Sequence, residues 1–271
     1  MLTRLKSPDN LSFSWAGHSP GVLIHSRDFL LTFILPCCRL LSMEKIKTYL
    51  VGGAVRDHIL GLDPKDLDYS VVASSFSAMK SWLEDEGYTI FLEHEDFGVI
   101  RARKGKQVAD YVICRKDGVY SDGRRPDFVE VGTLEDDLRR RDFTINSLAM
   151  DESGKVIDLF GGVKDLQYRR LRAVGDPMDR LREDPLRAFR ALRFSVTKAM
   201  EIDKDLAHAM QVLSVIDSME SVSTDRIRVE LGKMFAFDST ASMELLIRTY
   251  PDYLRVAVDR GIWFEPTVKG R

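Results

Sequence analysis

Cysteine is scarce in this chain, and what there is carries no framework. Its 271 residues include Cys37, Cys38 and Cys114, with no Cys-x-x-Cys pair. That excludes a disulfide scaffold and a structural zinc site and fits a reducing interior. Cys114 lies in an apolar run and reads as a plain core residue. Net charge is nearly absent too, at −2. Attraction of the whole molecule to nucleic acid is thereby excluded, so any such binding must use local patches. The apolar run from Phe29 to Leu41 is broken by Pro36 and Arg39 and is too short to span a bilayer. No membrane partner is expected. Internal repeats and low-complexity tracts are lacking as well.

What is present is an ordinary globular composition, 44% hydrophobic and 30% charged. The length suffices for one large domain or two small ones with real cores. Residues 1–42 stand apart: they are Ser-rich and carry only two acids, Asp9 and Asp28. They read as an upstream extension, with Met43 the natural start, or as an organelle transit segment. The first reading is preferred because no Arg-rich amphipathic helix is evident. The expected location is cytoplasmic, or mitochondrial if the segment is a transit peptide. Arginine crowds the middle third, including Arg139-Arg140-Arg141, Arg169-Arg170, Arg180, Arg187, Arg190 and Arg193. A solvated surface is the plain reading of such clusters, and a phosphate-facing groove the sharper one.

Lys45 to Val51 leads into a double glycine, and Ala54 to Leu60 reads as a helix stopped by Gly61 and Pro64. Asp66 to Ala73 alternates as a strand, with Leu67, Tyr69 and Val71 on one face and Asp66, Asp68 and Ser70 on the other. Phe76 to Glu86 is an amphipathic helix closed by Gly87. Further strands are expected at Thr89–Leu92, Gly98–Arg103 and Val108–Cys114, and a mobile loop from Arg115 to Pro126. Thr133 and Asp136 form a helix-start signal, and a second helix is expected through Ile145 and Leu148. Lys155–Leu159 reads as a short strand before the Gly161-Gly162 turn. From Asp184 onward the pattern is helical, with Asp184 as N-cap and Pro185 at the first helical position. Ile227, Leu231, Met234 and Phe235 mark the apolar stripe of a later helix.

Two carboxylates on one strand face, Asp66 and Asp68, repel unless a cation lies between them. Oxygen-only ligands favour Mg²⁺ or Mn²⁺ over zinc. An isolated Asp-x-Asp would be a solvent-facing pair. Here the apolar flanks and the adjacent glycine loop favour the metal. Asp110 interrupts an apolar strand and needs a partner. A shared metal and a position on a sheet edge reaching water are left as even alternatives. Gly52 and Gly53 let backbone N–H groups approach a triphosphate at a helix mouth, with Arg56 one turn in to clamp phosphate oxygens. A glycine pair alone is more often a simple turn. Arg187, Arg190 and Arg193 fall along one helix face opposite Phe189 and Leu192, where the plain reading is a solvated stripe.

Four ordered motifs then carry a resemblance. Gly52-Gly53-Ala54-Val55-Arg56-Asp57 leads to Asp66-Leu67-Asp68. Arg140-Arg141-Asp142-Phe143-Thr144-Ile145-Asn146, Asp158-Leu159-Phe160-Gly161-Gly162 and Glu183-Asp184-Pro185-Leu186-Arg187 follow. From about Lys45 to about Phe194 the chain resembles the head domain shared by class II CCA-adding tRNA nucleotidyltransferases and bacterial poly(A) polymerases. The resemblance implies an α+β nucleotidyltransferase head with a mixed sheet at residues 43–195. It also implies an all-α, RNA- or nucleotide-binding neck at 196–271, with truncation of that neck left open. Asp66, Asp68 and Asp110 would be catalytic, the first two binding Mg²⁺. Gly52, Gly53 and Arg56 would hold the incoming triphosphate, and Arg141, Asp142 and Asn146 its sugar and phosphates. Asp184 and Arg187 would read the base edge, supported by Arg190 and Arg193. The 115–126 loop would correspond to the family's flexible loop.

The base-reading expectation has its own chemistry. Cytosine and adenine both present an amino donor beside a ring-nitrogen acceptor, which an Asp–Arg pair matches; uracil and guanine do not. The implied reaction adds C and A to a tRNA 3′ end from CTP and ATP without a template, releasing pyrophosphate. A poly(A) polymerase is the alternative, although Phe97-Gly98-Val99-Ile100-Arg101 replaces that branch's Gly-Arg-Arg-Phe-like signature. Specialised CC- or A-adding activity, an inactive RNA-binding remnant and a partial subunit also stay open, as does a homo-oligomer. Ser147 stands where the family usually has Ala. With no His-Asp dipeptide in the sequence, no fused metal phosphohydrolase domain is expected.

Overall fold

The computed structural model describes residues 46–64, 66–118 and 129–263. The chain enters through β1 (Lys47–Val51) and turns at Gly52 into α1 (Gly53–Ile59). It returns along β2 (Asp68–Val72), and α2 (Phe76–Asp85) follows, its N-terminus capped by the Ser75 side chain. Strands β3 (Thr89–His94), β4 (Val99–Lys104) and β5 (Gln107–Ile113) complete the first half of the sheet. A small hairpin, β6 (Arg115–Asp117) and β7 (Val129–Val131), leads to α3 (Leu134–Arg139). Then come a 3₁₀ turn at Thr144–Asn146, β8 (Leu148–Met150), β9 (Val156–Asp158) and α4 (Gly162–Gln167).

Among the described residues the main sheet has seven strands in the order β3-β4-β5-β2-β1-β8-β9. Only β2 and β5 pair in parallel, so the sheet is mixed. One face is apolar: Val71, Ile100, Ala102, Ala109 and Tyr111 pack against Met79 and Leu83 of α2. Because side chains alternate along a strand, the opposite face carries Asp68, Arg101 and Asp110 in lateral register, with Ser70 two residues further along β2. That face is the floor of the site.

Helices dominate thereafter. β10 (Arg170–Leu171) is followed by α5 (Pro177–Glu183), α6 (Leu186–Thr197) and β11 (Glu201–Ile202), which pairs β10. Helices α7 (Lys204–Met210), α8 (Leu213–Ser218), α9 (Thr224–Phe237), α10 (Ser239–Arg248) and α11 (Pro251–Asp259) complete the fold. One apolar cluster joins Val55 of α1, Phe143, Leu148, Phe189 and Leu192 of α6, and Ile227, Leu231 and Met234 of α9. The helices after Asp184 therefore share buried surface with the glycine-loop helix, each such side chain contributing about 1.5–3 kcal/mol. Cys114 is fully buried and free, and burial pushes its thiol up to about 12. No described helix is long and apolar enough to cross a membrane.

Several elements depart from the sequence reading. Strand β2 begins at Asp68, so Asp66 is not a strand residue and does not share its face in the expected way. Pairing with β1 reaches Leu50↔Tyr69 and pairing with β5 reaches Asp68↔Asp110, which leaves Asp66 in a bend beyond both ladders. The helix expected through Ile145 and Leu148 is a single 3₁₀ turn followed by β8, because Leu148–Met150 fills the sheet position between β1 and β9. The loop expected from Arg115 starts as a strand, and its 119–128 portion lies outside the described residues. Helix α5 was not anticipated. Its signal was present: Asp176 caps it with Pro177 at the first position.

Candidate active site

A cleft of about 500 Å³ lies between the open sheet face, the double-glycine turn and the N-terminal half of α6. Gly52, Gly53, Arg56, Asp68, Arg141, Asp142, Asn146, Asp184, Arg187 and Arg190 all line it. Tertiary folding thus collects residues from three of the four motifs into one cleft, and the Asp158-Leu159-Phe160-Gly161-Gly162 motif does not line it. Arg140, Leu186, Phe194 and Arg226 join them, and the sequence reading assigned none of these four a role at the site.

Gly52 turns with φ +69, a left-handed conformation that favours glycine. A Cβ there would stand 2.7 Å from Arg141 Nη1. The bare backbone and the guanidinium are thus packed together, which no larger residue would allow. Arg141 is held from below by Asp137, whose Oδ2 accepts from Nη2 at 3.1 Å. Asp137 is 1% exposed and also accepts from Ser70 Oγ (2.7 Å) and from Arg140 Nε (3.0 Å) and Nη2 (2.5 Å). Burial opposes its charge, but the two arginines and Ser70 outweigh it and hold the carboxyl below its usual range. Sequence reasoning missed Asp137. The spacing of an acid three and four residues before Arg140-Arg141 on a helix was the available signal.

A second chain of contacts runs along the opposite wall. Arg56 Nη1 donates to Asn146 Oδ1 at 2.6 Å, and Asn146 Nδ2 donates to Asp142 Oδ1 at 3.0 Å. Asp142 Oδ2 accepts from Arg190 Nε (2.9 Å) and Nη2 (2.6 Å). Burial works to raise the Asp142 pKa, yet Arg190 and Asn146 together lower it. Arg56, Asn146, Asp142 and Arg190 are therefore one pre-set unit, with Asp142 charged at neutral pH.

The base-reading candidates are engaged within the protein. Asp184 lies one residue before Pro185, which takes the N-cap position of α6 in place of the expected Asp184; its Oδ1 accepts from Leu186 N (3.2 Å), while Oδ2 accepts from Arg226 Nη2 at 2.7 Å. Arg187 donates to Glu183 Oε2 (2.7 Å), the Arg180 carbonyl (3.0 Å) and the Arg140 carbonyl (2.9 Å). Arg193 does not line the cleft: it pairs with the buried Glu230 of α9 and lies over the Phe194 ring, 4.2 Å from its centroid. Glu230 also faces Arg190 at 3.7 Å. The expected solvated stripe on α6 is therefore a set of buried or half-buried arginines, each paired with a carboxylate.

The acids behave unequally. Asp68 stands exposed on the rim of the cleft. Protein packed around its carboxyl, then the Asp110 charge on the neighbouring strand and that of Asp66, raise its pKa; Arg141 and Arg101 partly counter this. Asp110 lies on β5, an interior strand, so the edge-strand alternative fails. Its partner is Arg101 of β4, which forks onto both carboxylate oxygens at 2.5 and 2.6 Å. Among the described residues no three acidic, histidine or cysteine side chains converge on one ion. As a donor set, three hard carboxylates fit Mg²⁺ or Mn²⁺, provided Asp110 leaves Arg101.

Comparison with known proteins places this geometry. Residues 48–172 match the poly A polymerase head domain. The chain is 39% identical over 198 residues to a CCA-adding enzyme of Streptococcus gordonii, covering 71% of this chain and 48% of that protein. It is 40% identical over 188 residues to the CCA-adding enzyme of Oceanobacillus iheyensis, covering 69% and 45%. The crystal structure of the Bacillus stearothermophilus CCA-adding enzyme in complex with CTP superposes with a TM-score of 0.65 at 28% identity. That match covers 81% of this chain and 52% of that one. A tRNA nucleotidyltransferase complexed with a primer tRNA and an incoming ATP analog gives 0.58 at 25% identity, over 80% and 58%. The chain spans about half the length of the relatives it matches. It belongs to the head-domain family that CCA-adding tRNA nucleotidyltransferases share with poly(A) polymerases.

Proposed function

We propose that this chain is a tRNA nucleotidyltransferase acting on CTP and ATP, with a head at 43–195 and a helical neck at 196–271. The observation that carries it is the gathering of the glycine turn, Arg141, the Arg56–Asn146–Asp142–Arg190 unit, Asp184 and Arg187 around one cleft beside Asp68. In the reaction a primer 3′-hydroxyl oxygen attacks the α-phosphorus. A new P–O bond forms, the α–β anhydride bond breaks, the hydroxyl proton is lost, and pyrophosphate leaves.

The Gly52-Gly53 backbone, Arg56 and Arg141 bind the triphosphate. Arg141 has a buried Nε with no partner among the described residues, a donor left for a phosphate oxygen. Asp142 and Asn146 orient the sugar, and Asp142 does so as an anion. Asp184 accepts from the amino group of C or A while Arg187 donates to the ring nitrogen. Both already make internal bonds, so base reading borrows an acceptor and a donor that the protein has fixed in place. Asp66, Asp68 and Asp110 would hold Mg²⁺, which supplies charge neutralisation and a more acidic hydroxyl when bound.

The test offers purified protein tRNAs ending before, within and after CCA, with single labelled nucleotides. Incorporation of C and then A, ending after one A, is expected. Long A tails would transfer the chain to the poly(A) branch. Absence of any incorporation by folded protein would overturn the enzymatic reading.

A further inference from the structure

Across the open sheet face, β3 to β2, four residues stand in one lateral row: Leu92, Arg101, Asp110 and Asp68. Within it, Arg101 occupies Asp110 completely. Nε donates to Oδ1 at 2.5 Å and Nη2 to Oδ2 at 2.6 Å, the bidentate fork that satisfies both carboxylate oxygens. The Arg101 side chain is 47% exposed and that of Asp110 only 23%. Among the described residues the guanidinium hydrogen-bonds to Asp110 and to no other group, so it can swing into water without disturbing the core. Asp110 in turn has a second suitor, since it faces Asp68 across the parallel β2–β5 pair.

We infer that Arg101 is a positioning residue that serves as the resident counter-charge of Asp110, and that a divalent cation must displace its guanidinium to complete the carboxylate site. The inference rests on the reading of Asp66, Asp68 and Asp110 as metal carboxylates. Three features of the geometry support it. The Arg101 fork takes one lone pair on each Asp110 oxygen, on the side where a cation would chelate the carboxylate, and sets a positive charge there. Asp68 and Asp110 are partners across the parallel β2–β5 pair, so a cation between them would meet the guanidinium that Asp110 already holds. The Arg101 side of the pair is about half open to solvent, which weakens the ion pair, so a doubly charged ion is well placed to win Asp110 from it. The exchange keeps Asp110 paired in both states, so an interior strand never presents a bare carboxylate.

The consequence is that Arg101 weakens metal binding in the free protein. Mn²⁺ binding to the full chain is measured without nucleotide by loss of the free-ion electron paramagnetic resonance signal. The set is the wild type, Arg101→Ala, Arg101→Ala with Asp110→Ala, Asp110→Ala and Asp68→Ala, with circular dichroism checking the fold of each. Arg101→Ala should bind Mn²⁺ about fivefold more tightly, the scale of an exposed ion pair. Adding Asp110→Ala should abolish that gain, and Asp110→Ala alone should not bind more tightly than the wild type. Unchanged or weaker Mn²⁺ binding by Arg101→Ala, with Asp68→Ala still impaired, would overturn the exchange while leaving the metal reading intact. A gain that survives in the double variant would overturn it as well. No Mn²⁺ binding, or binding indifferent to Asp68→Ala, would instead sink the metal reading beneath it.

Discussion

Arg226 reaches Asp184 from 42 residues away, its Nη2 donating to Oδ2 at 2.7 Å. The contact ties helix α9 to the junction of α5 and α6 and fixes the orientation of a carboxylate at the cleft wall. Oδ1 is already committed to the Leu186 amide, so Asp184 cannot turn while both bonds hold. A carboxylate so fixed accepts from an amino group and rejects a carbonyl, the difference between C or A and U or G.

Arg226→Ala should therefore loosen base choice without abolishing transfer. Discrimination of CTP against UTP, taken as the ratio of kcat/KM values, should fall about tenfold, the scale of one misplaced charged hydrogen bond. Stability should change by under about 1 kcal/mol, because the pair is partly exposed. Undiminished discrimination would remove Arg226 from any role in specificity.

Asp142 is 8% exposed and anchors both Arg190 and Asn146. Asp142→Asn should destabilise the fold by about 3 kcal/mol in urea unfolding, since it strands a guanidinium beside a neutral amide. The pH dependence has a definite sign. Asp142 and Asp137 both have folded pKa values below the unfolded value of about 3.9. Their contribution is complete above that value and is lost as pH falls through the folded pKa values, where the unfolded chain already binds the protons. The urea midpoint of the wild type should drop on acidification below about pH 4, and the drop should shrink in Asp142→Asn.

Asp68 works in the opposite sense. Its pKa is raised, by packing around the carboxyl and then by Asp110, so the folded state favours its neutral form. Stability from that preference exists at low pH and is lost as pH rises through the folded pKa. At pH 7 with chelator present, Asp68→Asn should raise the melting midpoint by about 1–2 °C while eliminating nucleotide transfer. A melting point lowered by this change would mean that the carboxylate supports the fold.

Two glycines separate binding from folding. Gly52→Ala would press a methyl against Arg141 Nη1, the end of a flexible side chain, at a positive φ. It should cost about 1–2 kcal/mol of stability and weaken binding of a fluorescent ATP analogue at least tenfold. Gly162→Ala would place Cβ 2.1 Å from the Thr144 carbonyl oxygen, which is backbone and cannot swing aside. That variant should fail to accumulate as folded protein. Equal nucleotide affinity in Gly52→Ala would show that Arg141 tolerates displacement.

Local patterns made much of this protein legible. Alternation marked β2, β4 and β5, the Thr133–Asp136 capping box marked α3, and the stripe of Ile227, Leu231 and Met234 marked α9. These follow from side-chain periodicity and capping, which act within a few residues. The motif residues of the cleft were legible for a different reason, namely their order and identity along the chain. Periodicity failed at Leu148–Met150, where three residues are too few to carry a period and sheet pairing decided the outcome.

The sequence alone determined which residue types were available to the cleft, because glycine, guanidinium and carboxylate each have fixed chemistry wherever they lie. Only the tertiary structure decided their partners. It gave Asp110 to Arg101, Asp184 to Arg226, Arg193 to Glu230 and both Arg140 and Arg141 to Asp137. Most of these pairings join different elements, and even those to Asp137, made within one turn, are set by burial against Ser70 of β2. Charge pairing over such separations depends on which strand and helix faces are brought together, and that is settled by burial of apolar surface rather than by the charges themselves.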